Sequence, residues 1–155
     1  MSETGDTQNA SGPKSYLKTG LLTPRFIKFG IVGASGVVIN MGGLYVFKEF
    51  AGVPYFLASL IAIELSILSN FTINLFWTWS DRSGEGNFWG KLLRYHIGAG
   101  ATAFLGNYVI LIALTELFGL HYMFSNLIGI AVGTLANYVI NDLWTFKKAD
   151  KIEHS

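Results

Sequence analysis

The sequence predicts an all-α membrane protein with four transmembrane helices, built as two tandem helical hairpin repeats related in parallel. Three observations carry this. Of the 155 residues, 51% are hydrophobic and only 14% are charged, whereas a soluble domain carries about 25% charge. The apolar residues gather into four blocks of roughly twenty residues or more, each long enough to cross a bilayer as a helix. Residues n and n+67 also pair without a gap from Gly33 to Trp79, and 16 of the 47 pairs are identical. The identities include Asn40/Asn107, Asn70/Asn137, Asn74/Asn141, Gly52/Gly119, Glu49/Glu116 and Trp77/Trp144. Apolar composition matches Leu and Ile by chance. It does not match Asn three times in one register, whereas internal duplication does.

Residues 1–24 are polar and rich in Gly, Ser and Thr. They lack the basic stretch and apolar core of a signal peptide and are predicted to be a disordered tail. Pro24 suits a first helical turn because its missing N–H would be unpaired there. The first helix, Arg25 to Phe47, then spans about 33 Å. A turn at Lys48–Val53 follows, and Pro54 opens the second helix. That helix is expected to end in an aromatic belt of Trp77 and Trp79 at the headgroup level. A polar, Gly-rich loop from Ser80 to Lys91 joins the halves. The third helix is predicted from Leu92 to Thr115, with a turn at Glu116–His121. The fourth ends at Trp144 and Phe146, before Lys147, Lys148 and a tail at 149–155. The transmembrane domain is thus 25–148, with repeats at about 25–80 and 91–147.

Lys and Arg set the orientation. Lys14, Lys18, Arg25, Lys28, Arg82, Lys91, Arg94, Lys147, Lys148 and Lys151 fall on one side, and Lys48 alone on the other. The positive-inside rule places both termini and the central loop in the cytoplasm of a multi-pass cell-membrane protein. Each repeat holds two helices, so both enter from the same side, related by an axis along the membrane normal.

Polar residues inside the blocks are the candidate site. Gly33, Gly36, Asn40 and Gly43 share one face of the first helix, as do Gly100, Ala103 and Asn107 on the third. Small residues let membrane helices approach closely, so packing explains the glycines best. Asn70 with Asn74, and Asn137 with Asn141, each lie about 40° apart on one face. They read either as interhelical glue or as a polar lining. Glu64 falls near mid-membrane, where a carboxylate costs about 2.5–3.5 kcal/mol. It is expected to face the bundle interior, as a structural hydrogen-bond donor or as a proton or ligand site. Asp142 stands where the first repeat has Leu75, within snorkelling reach of an interfacial Lys or Arg.

Several functions find no support. With no Cys, there is no thiol chemistry. No GxxxxGK[ST] phosphate loop is present, nor a nucleophile–base pair or a metal-ligand cluster, and His96, His121 and His154 are dispersed. The expectation is a non-enzyme without cofactor, metal or nucleic-acid partner.

The segments Arg25-Phe26-x-x-Phe29-x-x-Val32-Gly33, Asn70-Phe71-x-x-Asn74-x-x-Trp77-Thr78-Trp79 and Asn137 to Phe146 carry a resemblance. Over about Arg25 to Lys148 the chain resembles the GtrA-like family of four-helix membrane proteins. The resemblance implies translocation of a polyprenyl-phosphate-linked sugar for cell-surface polysaccharide synthesis, with a polyprenyl-phosphate glycosyltransferase as partner. The family often carries Arg or Lys between the second Asn and the aromatic residue. Here those positions are Leu75 and Phe76, then Asp142 and Leu143, so phosphate must be met elsewhere. Arg25, Lys28, Lys91 and Arg94 are the candidates for it. Asn40, Glu64, Asn70, Asn74, Asn107, Asn137, Asn141 and Asp142 are the candidates for the sugar. Four helices enclose little space, so a homodimer is expected. Two rival readings are a non-transporting scaffold for a glycosyltransferase and a proton-coupled exporter like the small multidrug resistance family.

Overall fold

The computed structural model describes residues 23–148, and the predicted tails at 1–22 and 149–155 lie outside the described residues. All regular structure among the described residues is helical. Four helices are long and apolar enough to cross a membrane: Pro24–Phe50, Tyr55–Thr78, Phe88–Leu117 and Tyr122–Thr145. Their α-helical parts are α1 (Pro24–Tyr45), α2 (Tyr55–Ile73), α3 (Phe88–Phe104) and α4 (Tyr122–Ile140). Each continues into wider π-helical turns, as at Asn74–Thr78 after α2 and Asn141–Thr145 after α4.

The starts follow from caps. Thr23 Oγ1 accepts the Phe26 N–H at 3.2 Å, ahead of Pro24 in the first turn. Pro54 is the cap before α2 rather than its first residue. The third helix begins a turn earlier than composition indicates, at Phe88 instead of Leu92. Asn87 Oδ1 accepts the Trp89 N–H at 3.1 Å and so nucleates the helix inside the polar loop. A short 3₁₀ turn, Ser80–Arg82, precedes it. Both distal turns use glycine in the left-handed region, Gly52 at φ 64° and Gly119 at φ 65°, where a Cβ would be strained.

Helices α1 and α2 pack as one hairpin, and α3 and α4 as the other. In the first, a Cβ on Gly36 would overlap the Asn70 amide, and Ser66 Oγ donates to the Gly36 carbonyl at 2.8 Å. In the second, Gly106 lies directly against the Gly129 and Gly133 backbones, so α3 and α4 meet backbone to backbone. This is the close approach that small residues permit where lipid offers no hydrophobic drive for association.

The core sits at the end of the bundle where α1 begins and α4 finishes, the termini-bearing end of the described residues. Phe29, Phe71, Leu75, Trp79, Tyr95 and Phe146 are buried together. Trp79 and Phe146 are fully buried and stack at 4.6 Å with an interplanar angle of 13°. This corrects the expected belt. The backbone leaves the helix at Trp79 (φ −117°, ψ 38°) and at Phe146 (φ −110°, ψ 34°), turning each ring under the bundle. The belt falls instead to Trp77 and Trp144, which are exposed. Lys28 lies over the Trp77 ring at 5.5 Å and Arg94 over the Trp144 ring at 5.9 Å.

Candidate functional site

Asp142 is the hub of the termini-bearing end. Its Oδ1 accepts from Trp79 Nε1 at 2.9 Å, Arg82 Nη1 at 3.0 Å and Arg25 Nη1 at 3.4 Å. Arg82 also donates to the Asp142 carbonyl at 3.0 Å and the Phe146 carbonyl at 2.9 Å. One guanidinium therefore holds the unwound end of α4, and the carboxylate ties it to α1 and to the α2 end. Arg25 further pairs with Asp81 at 2.9 Å. These groups are engaged with one another, so the structure places Asp142 and Arg25 in a staple. Lys28 sits at Trp77, donating to its carbonyl at 3.5 Å.

The Asn pairs behave unlike each other. Asn74 is buried, donates to the Tyr95 hydroxyl at 3.1 Å and accepts from Thr78 at 2.7 Å. Asn141 is also buried, but its amide turns to Asn137, donating to the carbonyl and to Oδ1 at 2.9 Å each. Asn141 Oδ1 and Thr145 Oγ1 are then left buried without a partner, as is Asn70 Oδ1 against Gly36. Buried polar atoms are seldom left unbonded. Asn40 is half-buried on α1. Asn107 lies in the π-helical stretch Leu105–Ile110, and its side chain is outside the described ones.

Two concavities run along α3 and α4. At the termini-bearing end, a recess of about 260 Å³ is lined by Glu85, Gly86, Asn87, Gly90, Lys91, Arg94, Thr145, Lys147 and Lys148. Four cations against one carboxylate make it an anion site by composition. Lys91 is buried and anchored to the Arg82 carbonyl at 2.7 Å. Arg94 is held at the Trp144 carbonyl at 3.3 Å. Deeper, a groove of about 360 Å³ opens between α1, α3 and α4. Phe29, Gly33, Ala99, Ala103, Gly106 and Ile130 give it an apolar floor, and Thr102, Thr134 and Asn137 add polar atoms. Gly33 is not needed here for packing, since a Cβ would meet nothing within 4 Å. Of the predicted residues, Lys91 and Arg94 share the recess, and Asn137 lines the groove. Arg25 and Lys28 line neither.

Glu64 departs from expectation. It is half exposed on the outside of the bundle rather than facing its interior, and its Oε1 lies 3.0 Å from His96 Nε2. Helix α2 turns its small residues Ala58 and Ala62 inward, and both are fully buried. Glu64 therefore falls on the flank facing α3. Sequence reasoning missed His96 because it lies 32 residues away and its counterpart 67 positions earlier is Phe29. The usable signal was depth: among the acidic, basic and histidine side chains of the described residues, Glu64 and His96 lie farthest from the span ends.

The fold and these features define a multi-pass helical membrane protein with a cationic recess at one end of a small bundle. Residues 28–146 match the family described as GtrA/DPMS, transmembrane domain, and the chain belongs to that family. It is also 41% identical over 117 residues to a protein of Pyrococcus furiosus named dolichol-phosphate mannosyltransferase. The match covers 76% of this chain and 32% of that protein, so the chain spans about a third of its relative's length.

Proposed function

We propose that this protein carries a polyprenyl-phosphate-linked monosaccharide across the cytoplasmic membrane, for cell-surface polysaccharide or glycoconjugate synthesis. The observation that carries the reading is the cationic recess of Lys91, Arg94, Lys147 and Lys148 at the end of an otherwise apolar bundle. The membrane family and a relative named for a dolichol-phosphate substrate supply the ligand class. Both termini lie on the cytoplasmic side in this reading, so the recess meets the lipid phosphate at the inner leaflet. Lys and Arg near an anionic surface contribute about 1 kcal/mol each. The groove takes the sugar against Asn137, Thr102 and Thr134, and its volume of about 360 Å³ falls within the range of small-molecule sites. The prenyl chain stays in lipid beside the open flank at Gly33. A second copy of the chain completes the enclosure. No bond is made or broken on this chain, and a polyprenyl-phosphate glycosyltransferase supplies the cargo.

One observation favours a second reading. Two thirds of the relative lies outside the match, so there the four helices belong to a larger enzyme. The corresponding role here is a membrane scaffold for a separate glycosyltransferase. Purified protein in vesicles separates the two. A labelled polyprenyl-phosphate sugar crosses faster than in empty vesicles, and Lys91→Gln with Arg94→Gln slows it at least tenfold. Crossing no faster than in empty vesicles leaves the scaffold.

A further inference from the structure

The Glu64–His96 contact has a property that neither residue has alone. His96 Nδ1 lies 2.9 Å from the Leu92 carbonyl, its own helix's acceptor four residues back. A carbonyl only accepts, so Nδ1 carries a hydrogen. In a neutral ring Nε2 is then a bare acceptor. Glu64 Oε1 stands 3.0 Å from it, and two acceptors do not hold that distance without a hydrogen between them.

We infer that Glu64 and His96 form a one-proton site that latches the two hairpins together within the membrane. The shared proton sits on oxygen, as a carboxylic acid donating to neutral imidazole, or on nitrogen, as an imidazolium donating to carboxylate. Either way the pair is net neutral, the state that hydrocarbon favours. Loss of the proton leaves one ring hydrogen for two acceptors, so either the Glu64 contact or the Leu92 contact loses its hydrogen bond. Gain of a second proton leaves a carboxylic acid beside an imidazolium and a net positive charge.

The location makes the proton consequential. Glu64 lies nine residues after Tyr55 on α2, about 14 Å from that helix's distal end. Its partner is on α3, so the bond crosses from one hairpin to the other. Another polar tie between the second and third spans, Asn74 to Tyr95, lies toward the termini-bearing end. No other charged group competes among the described residues. On α2 there is none besides Glu64. On α3, Lys91 and Arg94 are bound to carbonyls toward the termini, and Glu116 lies at the distal end. On α1, Arg25 is ion-paired, Lys28 sits on Trp77, and Lys48 pairs with Glu49 at 3.1 Å. On α4, Asp142 is taken by arginines. The positions 67 residues away, Ala131 and Phe29, hold no such pair, and Phe29 borders the open groove instead. The seam between α2 and α3 is thus latched, and the flank holding the groove is open.

The pair is therefore a shared-proton tie between the hairpins, and its coupling to lipid movement rests on the function proposed above. The test uses the full chain in nanodiscs, with ¹⁵N-labelled histidine and ¹³C-labelled glutamate, titrated from about pH 5 to about pH 9 across the histidine range. Glu64 and His96 respond in the same steps, as strongly coupled groups do, and Glu64→Gln replaces the steps of His96 with a single one. Identical His96 curves in both proteins overturn the site. Spin labels at Leu60 and Phe104 read the latch: their separation is larger in a Glu64→Ala, His96→Ala double variant than in the wild type. Equal separations overturn it. In vesicles, an imposed pH gradient changes the wild-type crossing rate severalfold but not that of Glu64→Gln. Absence of any crossing refutes the transport reading, while the titration and distance data still decide the proton site.

Discussion

Replacing Arg82 with Met measures how much of the termini-bearing end hangs on one side chain. The guanidinium makes three hydrogen bonds, to Asp142 Oδ1, the Asp142 carbonyl and the Phe146 carbonyl, at 2.9–3.0 Å. Its side chain is 13% exposed and that of Asp142 is 29% exposed, so water replaces these bonds poorly. A bond to a charged group contributes about 1.5–3 kcal/mol and a neutral one about 1. Removing one partner of a buried pair costs about 3–5 kcal/mol, because the other charge is stranded. Arg82→Met is therefore expected to lose roughly 3–5 kcal/mol, a factor of 10² or more in the unfolding equilibrium. Arg25 and Trp79 still hold Asp142, which keeps the loss near the lower bound. The assay is reversible unfolding in mixed micelles, followed by tryptophan fluorescence, since Trp79 is itself in the cluster. Adding Asp142→Leu, which restores the first repeat's Leu75, returns part of the loss. A single-mutant loss under about 1 kcal/mol, or additive effects in the double mutant, refutes the staple.

Two further changes probe the helix faces. Gly36→Ala puts a Cβ into the Asn70 amide and is expected to cost about 1–3 kcal/mol, as overpacking does. Asn70→Ala in the same protein relieves it, as thermal unfolding will show. Gly33→Leu fills the groove from an open position. It leaves unfolding unchanged within about 0.5 kcal/mol while slowing lipid crossing at least tenfold, and crossing at the wild-type rate removes the groove from the path.

Much of the molecule was legible beforehand, for identifiable reasons. A bilayer demands long uninterrupted apolar helices, so the four spans and their turns could be read from hydropathy alone. The Gly52 and Gly119 turns were readable from the repeat, since a left-handed backbone position selects glycine. Other readings failed where chemistry depends on direction. Trp77 and Trp79 look alike as neighbours in sequence, yet one is on the surface and the other stacks on Phe146. The difference is a backbone reversal that hydropathy does not report. Glu64 was expected inside because isolated carboxylates avoid lipid, and His96 removes that premise by sharing its proton.

The repeated Asn-to-aromatic segment shows the division most clearly. The sequence by itself determined that the segment occurs twice, near helix ends, in an all-helical membrane protein, because periodicity and apolar length are local properties. Packing decided which partners each copy reaches beyond its own helix. The first closes on itself through Thr78 to Asn74 and reaches Tyr95. The second turns Asn141 to Asn137, leaves Thr145 unpartnered beside the cationic recess, and commits Asp142 to Arg82. The Thr78–Asn74 and Asn141–Asn137 bonds join residues four apart in one helix, but the Tyr95 and Arg82 partners lie on other elements and come within about 3 Å only once the helices have packed.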